Sequence, residues 1–420
     1  MHRTNQNIAR FRILFDLKTN ICKYLVKYPD PILFTTYQTK QSSGDFIQKM
    51  YSHKPIFISK YLTWKKTIPR GHIKHLFYLS WEDALWDLLP KLGISKGSTI
   101  LTPTWYCHDV ENNIINHGYQ VRHYRVNNNL QPTKDELTKA IKHHDPAMVI
   151  LHHPLGITNQ IITDYQFMTQ IFKKCIVIED SVHRIIDPSK VNIFSSNHLI
   201  IDSLRKTIPL QGSNVFGLKS SLNFSVPPIA QSWYYRLKVT LLWQWMNFWW
   251  VISTLINSVN AAELAQRIMQ AGYDLIGDSL LPARGNRLFD YLFKYIDFKK
   301  LQKIKVEQIK IYEHYFKTIN TNTLSPISYP ILDRKQLLGY PLKVKKSSAN
   351  RLLSLITKNG LLLRYELADN NWDQNYQILC LPTGPYLTHK NIVKIAQIVI
   401  QSLKRLPTRV PHAGSARPQI

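Results

Sequence analysis

Between residues 80 and 92, "SWEDALWDLLPKL", apolar positions recur every three or four residues, so that Ala84, Leu85, Leu88, Leu89 and Leu92 share one helical face. Ser80 and Asp83 stand in capping spacing at its start. From there the period alternates. "STILTP" predicts a strand, "DVENNIINHG" a helix closed by Gly118, and "QVRHYRV" a strand. "TKDELTKAIKHH" predicts a helix, "AMVILHH" a strand, Tyr165 to Lys174 a helix, and "CIVIED" and "NHLIID" two more strands. Short apolar strands alternating with helices predict βαβ crossovers and a mostly parallel sheet covered on both faces. Ligands of such sheets bind beyond the carboxyl ends of the strands.

The pattern divides the chain. Residues 1–76 are basic and irregular and are read as an N-terminal extension, and residues 77–290 as a large α/β domain. In residues 291–406 a helical run places Ile304, Ile309, Tyr312 and Phe316 on one inward stripe. "GYPLKVK", "LLLRYEL" and "YQILCLP" then alternate with helices, predicting a smaller C-terminal α/β domain. Residues 407–420 read as a disordered tail.

The segment Val239 to Ala262, "VTLLWQWMNFWWVISTLINSVNAA", is uncharged and long enough to span a bilayer. Thr240, Gln244, Asn247, Thr254 and Asn257 put a polar stripe along it, however, which predicts one amphipathic helix, buried or lying on a surface. Its tryptophans, with Arg236 and Lys238 just before it, suit peripheral contact with a membrane.

Composition narrows the partners. The chain carries 54 Lys and Arg against 27 Asp and Glu over 420 residues, a net charge of +27 that favours anionic partners. No zinc-finger spacing or aromatic RNA-binding signature occurs, so nucleic acid is not the expected partner. Cys22, Cys107, Cys175 and Cys380 are far apart in or beside apolar runs, as reduced thiols of a cytoplasmic protein would be. The amino terminus lacks a secretory leader pattern, its apolar stretch being broken by Arg10, Arg12 and Asp16. No metal site is expected: His152 and His153 pair only by adjacency, and His108 and His117 are too far apart on one helix.

The chemistry-bearing residues sit at predicted strand ends. Asp180 follows Ile176, Val177 and Ile178, where a carboxylate needs a cationic partner, a cationic ligand or a capping role. Ser203, Arg205 and Lys206 follow the next strand. Lys206 is either a solvated loop cation or a nucleophilic amine with Arg205 as the neighbouring cation. Trp105 and Tyr106 follow "ILTP". A carboxylate, a lysine, a flat side chain and a helix start together meet the needs of a pyridoxal 5'-phosphate site. Arg364, in "GLLLRYEL", reads as a surface strand residue before an anion-binding one.

With these segments in this order, the chain from Leu79 to Leu406 resembles the DegT/DnrJ/StrS group of fold type I pyridoxal-phosphate aminotransferases. The resemblance implies a large mixed, mostly parallel sheet domain with helices on both faces plus the smaller C-terminal domain. It also implies transfer of an amino group, from an amino acid such as glutamate to a keto sugar or related anionic carbonyl substrate, a nucleotide sugar among them. Lys206 would form the Schiff base, Asp180 would face the pyridine nitrogen, and His183 would lie near the 3'-oxygen. Ser203 and the helix start at Ser80 would contact the phosphate. An aromatic residue, Trp105 or Tyr106, would stack on the ring unless the register gives that place to Cys107. A cytoplasmic homodimer is the implied state. Where the family carries small residues, this chain has Trp81 and Glu82, and the Gly-Gly after the lysine is reduced to Gly212. Bulk and negative charge at that helix start oppose a phosphate. The alternative reading is therefore a catalytically degenerate relative that binds a partner or a membrane surface.

Overall fold

The computed structural model describes residues 61–406 apart from 209, 227–228, 256–258, 278–281, 320, 360, 362, 369, 371 and 386. Residues 1–60 of the expected extension, and the expected tail, lie outside them.

The sheet begins with β1 (Ile73–Tyr78), slightly ahead of Phe77, and α1 (Trp81–Lys91) follows it. β2 (Thr99–Pro103), α2 (His108–Asn116), β3 (Gln120–Tyr124), α3 (Lys134–His144) and β4 (Met148–His152) come next. Then follow α4 (Tyr165–Phe172), β5 (Ile176–Asp180), β6 (His198–Ile201) and β7 (Ser213–Leu218). These strands form one seven-stranded sheet in the order β1-β7-β6-β5-β4-β2-β3. Six run in one direction; β7 alone is antiparallel to both neighbours, β1 and β6.

The strict two-residue period of the strands sends alternate side chains to two cores. Ile100, Met148, Ile150 and Ile178 pack with Leu85, Leu88 and Leu89 of α1 and Ile114 of α2. Their neighbours Leu101, Val149, Leu151 and Val177 pack with Leu137 and Ile141 of α3 and Met168 and Phe172 of α4. Both faces of the sheet are thus covered by helices, which is why the inner strands β4, β5 and β6 carry almost no polar alternation.

Two long helices follow, α5 (Ile229–Leu255) and α6 (Val259–Gly277). The single helix expected over Val239–Ala262 is instead the end of one helix and the start of another, with 256–258 between them. Leu242 and Met246 of α5 pack on Ala265 and Ile268 of α6, so the apolar run serves a helical hairpin. No helix among the described residues is long and apolar enough to cross a membrane.

After α7 (Arg287–Phe293) and α8 (Phe298–Phe316), β8 (Leu324–Pro326), β9 (Gly339–Lys345), β10 (Tyr365–Glu366) and β11 (Tyr376–Pro382) make an antiparallel sheet in the order β10-β11-β9-β8. α9 (Lys346–Lys358) and α10 (His389–Lys404) complete this second unit. Its core takes Ile309, Tyr312 and Phe316 from α8, together with Trp105, Leu130, Leu155 and Ile157 from the loops above the first sheet. The joint between the two sheets therefore lies directly over the strand ends.

Candidate functional site

Because β1, β2, β4, β5 and β6 run the same way, everything that follows them emerges at one edge of the sheet. That single fact brings Ser80, Trp105 to Cys107, His152, Asp180 to His183 and Ser203 to Lys206 to the same side.

Asp180 ends β5 and is buried. Its Oδ2 accepts from the Tyr106 hydroxyl at 2.8 Å and from His152 Nδ1 at 3.2 Å, while Oδ1 accepts from the Val182 amide at 3.2 Å. A carboxylate has about four acceptor positions, so Oδ1 keeps capacity for a further donor. The Tyr106 hydroxyl is held in its protonated form, first by burial and then by the Asp180 charge, which keep its pKa well above the usual tyrosine range.

His183 is buried behind the same strand end, its ring 5.2 Å from that of His152 in an edge-on contact. The Leu155 amide donates to its Nδ1 at 3.2 Å, which assigns the neutral ring's proton to Nε2. Burial, then His152 and Lys206, hold its pKa well below the ordinary histidine value, so Nε2–H is a donor through the neutral range.

Lys206 ends a short 3-10 turn, Leu204–Lys206, one step past β6, and is exposed. Its ammonium is near enough to act electrostatically on both His183 and Cys107, whose thiol burial pushes up and Lys206 draws down. Ser203, which opens this turn, is 3% exposed, and its Oγ has no hydrogen-bond partner among the described residues. Gln211 Nε2 donates to the Leu79 carbonyl at 2.8 Å and ties the segment after the turn to the start of α1.

At that start, Ser80 caps the helix. Its Oγ accepts from the Asp83 amide at 3.0 Å and donates to Asp83 Oδ2 at 2.6 Å. The only proton of the Ser80 hydroxyl is therefore engaged. Asp83 Oδ1 accepts from the Ala283 amide, and Tyr235 of α5 donates to Oδ2 at 3.2 Å, so the helical hairpin stands over this corner.

Trp105 is packed into the core shared with the second sheet, and Tyr106 spends its hydroxyl on Asp180. Cys107, the N-cap of α2, is the third member of that segment and the one in reach of Lys206. Asn370 had no sequence signal: it stands in a polar stretch, yet is buried and donates from Nδ2 to the Tyr106 carbonyl at 2.9 Å. Of the adjacent pair in which no metal site was expected, His152 Nδ1 supports Asp180 and its ring also meets those of Trp105, Tyr106 and His183, while His153 Nε2 is 2.7 Å from Glu179 Oε1.

Gly156 bridges this edge to the second sheet. Its φ of +86° is one that side chains rarely adopt, and a Cβ there would lie 2.4 Å from the Gln336 carbonyl oxygen and 3.0 Å from that of His183.

Comparisons with known proteins agree with this architecture. No protein-family model matches the chain, and no curated protein does. Solved structures do. An aminotransferase, TlmJ from Streptoalloteichus hindustanus, superposes with a TM-score of 0.50 at 12% identity, over 87% of this chain and 96% of that one. NtdA from Bacillus subtilis, solved with its cofactor PMP bound, gives 0.51 at 14% identity over 93% and 82%. PseC of Helicobacter pylori, an aminotransferase of pseudoaminic acid biosynthesis, gives 0.50 at 13% over 92% and 96%. The chain thus has the fold type I architecture of these aminotransferases: a large, mostly parallel sheet with a second, smaller sheet beyond it.

Proposed function

We propose that this protein is a pyridoxal-phosphate-dependent aminotransferase that moves an amino group from an amino acid to an anionic keto sugar or related carbonyl compound. The observation that carries the reading is the meeting of Asp180, His183, Ser203 and Lys206 at one strand edge, with Ser203 Oγ buried and unpartnered among the described residues. The orphaned hydroxyl and the spare acceptor capacity of Asp180 Oδ1 both fit the group. When bound, the cofactor supplies an electron sink for the bonding pair released at the substrate carbon. Asp180 Oδ1 would accept the ring N–H and keep it protonated, and His183 Nε2–H would donate to the ring's hydroxyl oxygen. Ser203 Oγ would donate to a phosphate oxygen. Lys206 would be the amine that anchors the cofactor and carries the proton to and from the substrate carbon. The positive charge of the chain suits an anionic acceptor, and glutamate as donor, a homodimer and a cytoplasmic site of action complete the reading.

The test is spectroscopic and chemical. The purified protein given pyridoxal phosphate should gain visible absorbance that Lys206→Ala lacks, and borohydride reduction should fix the label on the peptide carrying Lys206. A label on any other lysine, or a colourless protein, overturns the assignment.

One observation favours a second, compatible activity. α5 turns Trp233, Trp245 and Phe248 outward, each more than half exposed, with Leu237 on the same stripe, and it contains Arg236 and Lys238 but no acidic residue. This face suits peripheral contact with an anionic bilayer. Co-sedimentation with phosphatidylserine vesicles should fall at least threefold, an order-of-magnitude expectation, for Trp245→Ala combined with Phe248→Ala; equal sedimentation of variant and parent would remove the idea.

A further inference from the structure

The pyridoxal-phosphate reading leaves one charge unaccounted for. Glu82 stands in the first turn of α1, at the sheet edge that carries Lys206, with its side chain 13% exposed. Its Oε1 lies 4.0 Å from Nη2 of Arg205, a guanidinium only 5% exposed and adjacent in sequence to Lys206. Its Oε2 is buried without a hydrogen-bond partner among the described residues.

A buried carboxylate oxygen with no donor is unfavourable, and this one is held where two features favour an anion: the positive end of α1 and the Arg205 guanidinium. Two residues before Arg205, Ser203 carries a hydroxyl that is 3% exposed and also unpartnered among the described residues. A helix start, a buried arginine and an unengaged hydroxyl are the groups that bind a phosphate. Here the chain's own carboxylate stands at the helix start and beside that arginine. A phosphate carries close to two negative charges near neutral pH, and a carboxylate beside it repels it.

We infer that Glu82 is an internal competitor for the phosphate position, so that the cofactor's phosphate binds only when Glu82 leaves Arg205, and Glu82 thereby sets the affinity of the site for phosphorylated ligands. This rests on the reading of the site given above, and it makes Glu82 a determinant of affinity, with no part in proton transfer. Asp83 is excluded from the same role, because Ser80, Ala283 and Tyr235 all donate to its carboxylate.

The experiment compares the full chain with Glu82→Gln, an isosteric change, and with Glu82→Gln combined with Arg205→Gln. Dissociation constants are measured by calorimetry for inorganic phosphate, pyridoxal phosphate and pyridoxal. Urea midpoints confirm that each variant is folded. Glu82→Gln should tighten inorganic phosphate and pyridoxal phosphate by about tenfold, the effect of removing one like charge, and leave pyridoxal unchanged. The added Arg205→Gln should abolish that gain. Unchanged or weaker phosphate binding in Glu82→Gln overturns the inference, as does an equal gain for pyridoxal. If phosphate tightens as expected but neither aldehyde ever produces visible absorbance, the Glu82 inference stands and the assignment of Lys206 falls.

Discussion

Asp83 and Asp202 are the two carboxylates for which burial has the clearest consequence. Burial raises both to about 7, although hydrogen bonds from Ser80 and Ala283 to the one, and from Asn214 to the other, pull the opposite way. A raised carboxylate binds its proton more tightly folded than unfolded. Its contribution to stability is therefore full below the unfolded value near 3.8 and falls as pH rises toward 7. Asp83→Asn should tolerate the change, because the Ser80 and Tyr235 hydroxyls that now donate to Oδ2 can rotate to accept from an amide. The variant should thus lose less stability than the parent between pH 4.5 and 7.5, by roughly 1–4 kcal/mol in urea unfolding. Identical pH slopes for the two proteins would show that Asp83 is ionised throughout. At this scale the sequence was legible where one residue carried its own signal. Lys206, Asp180 and His183 each follow an apolar strand, and parallel strands bring such residues together. The Glu82–Arg205 pair and the Asn370 contact to Tyr106 were not legible, since each depends on which side chains face one another across loops.

Among elements, the alternation of period was enough for α1 to α4 and β2 to β6, because most of these strands are short apolar runs and α1, α3 and α4 open on the capping residues Ser80, Thr133 and Asp164. Direction was not written in the pattern. A strand buried on both faces reads the same whether parallel or not, so the reversal of β7 shows only in its pairing with β1 and β6. The reversal has a function: it allows the short return from the Lys206 turn through Gly212 into Ser213, opposite Tyr78, and so sets the lysine turn beside the start of α1. The Trp-rich stretch misled for a related reason. Its apolar residues face two surfaces, Leu242 and Met246 toward α6 and Trp245 and Phe248 outward, and the mixture hides the break between the two helices.

For the whole molecule, one buried polar network joins the two sheets behind the site. Glu179, one residue before Asp180, is buried, and although burial works to raise its pKa, contacts with His153 at 2.7 Å and His198 at 3.2 Å hold it well below the usual range. Arg184 donates to Glu179 Oε1, the oxygen that His153 also meets, at 3.1 Å and, through its other terminal nitrogen, to Gln336 Oε1 at 2.7 Å. Gln336 passes the link to Asp333 and Thr158, so the second unit is fastened through one guanidinium to the strand that presents Asp180. Removing that guanidinium leaves a buried carboxylate short of a cation and a glutamine short of a donor. Arg184→Gln should therefore lower stability by roughly 3–5 kcal/mol. Arg334 provides the contrast: it pairs with Glu313 at 2.7 Å at a half-buried position within the second unit, and Arg334→Gln should lose less than about 1 kcal/mol. Hydrogen exchange distinguishes a joint from a merely local prop. In Arg184→Gln, amides of residues 331–338 and of the loop at Gly156 should exchange faster together, because the Leu155 carbonyl accepts from the Leu338 amide and the two backbones are held in contact. Faster exchange confined to β5, with residues 331–338 unchanged, would mean that Arg184 serves only Glu179 and that the two units are held together by their other contacts, among them the apolar packing around Trp105 and Leu155.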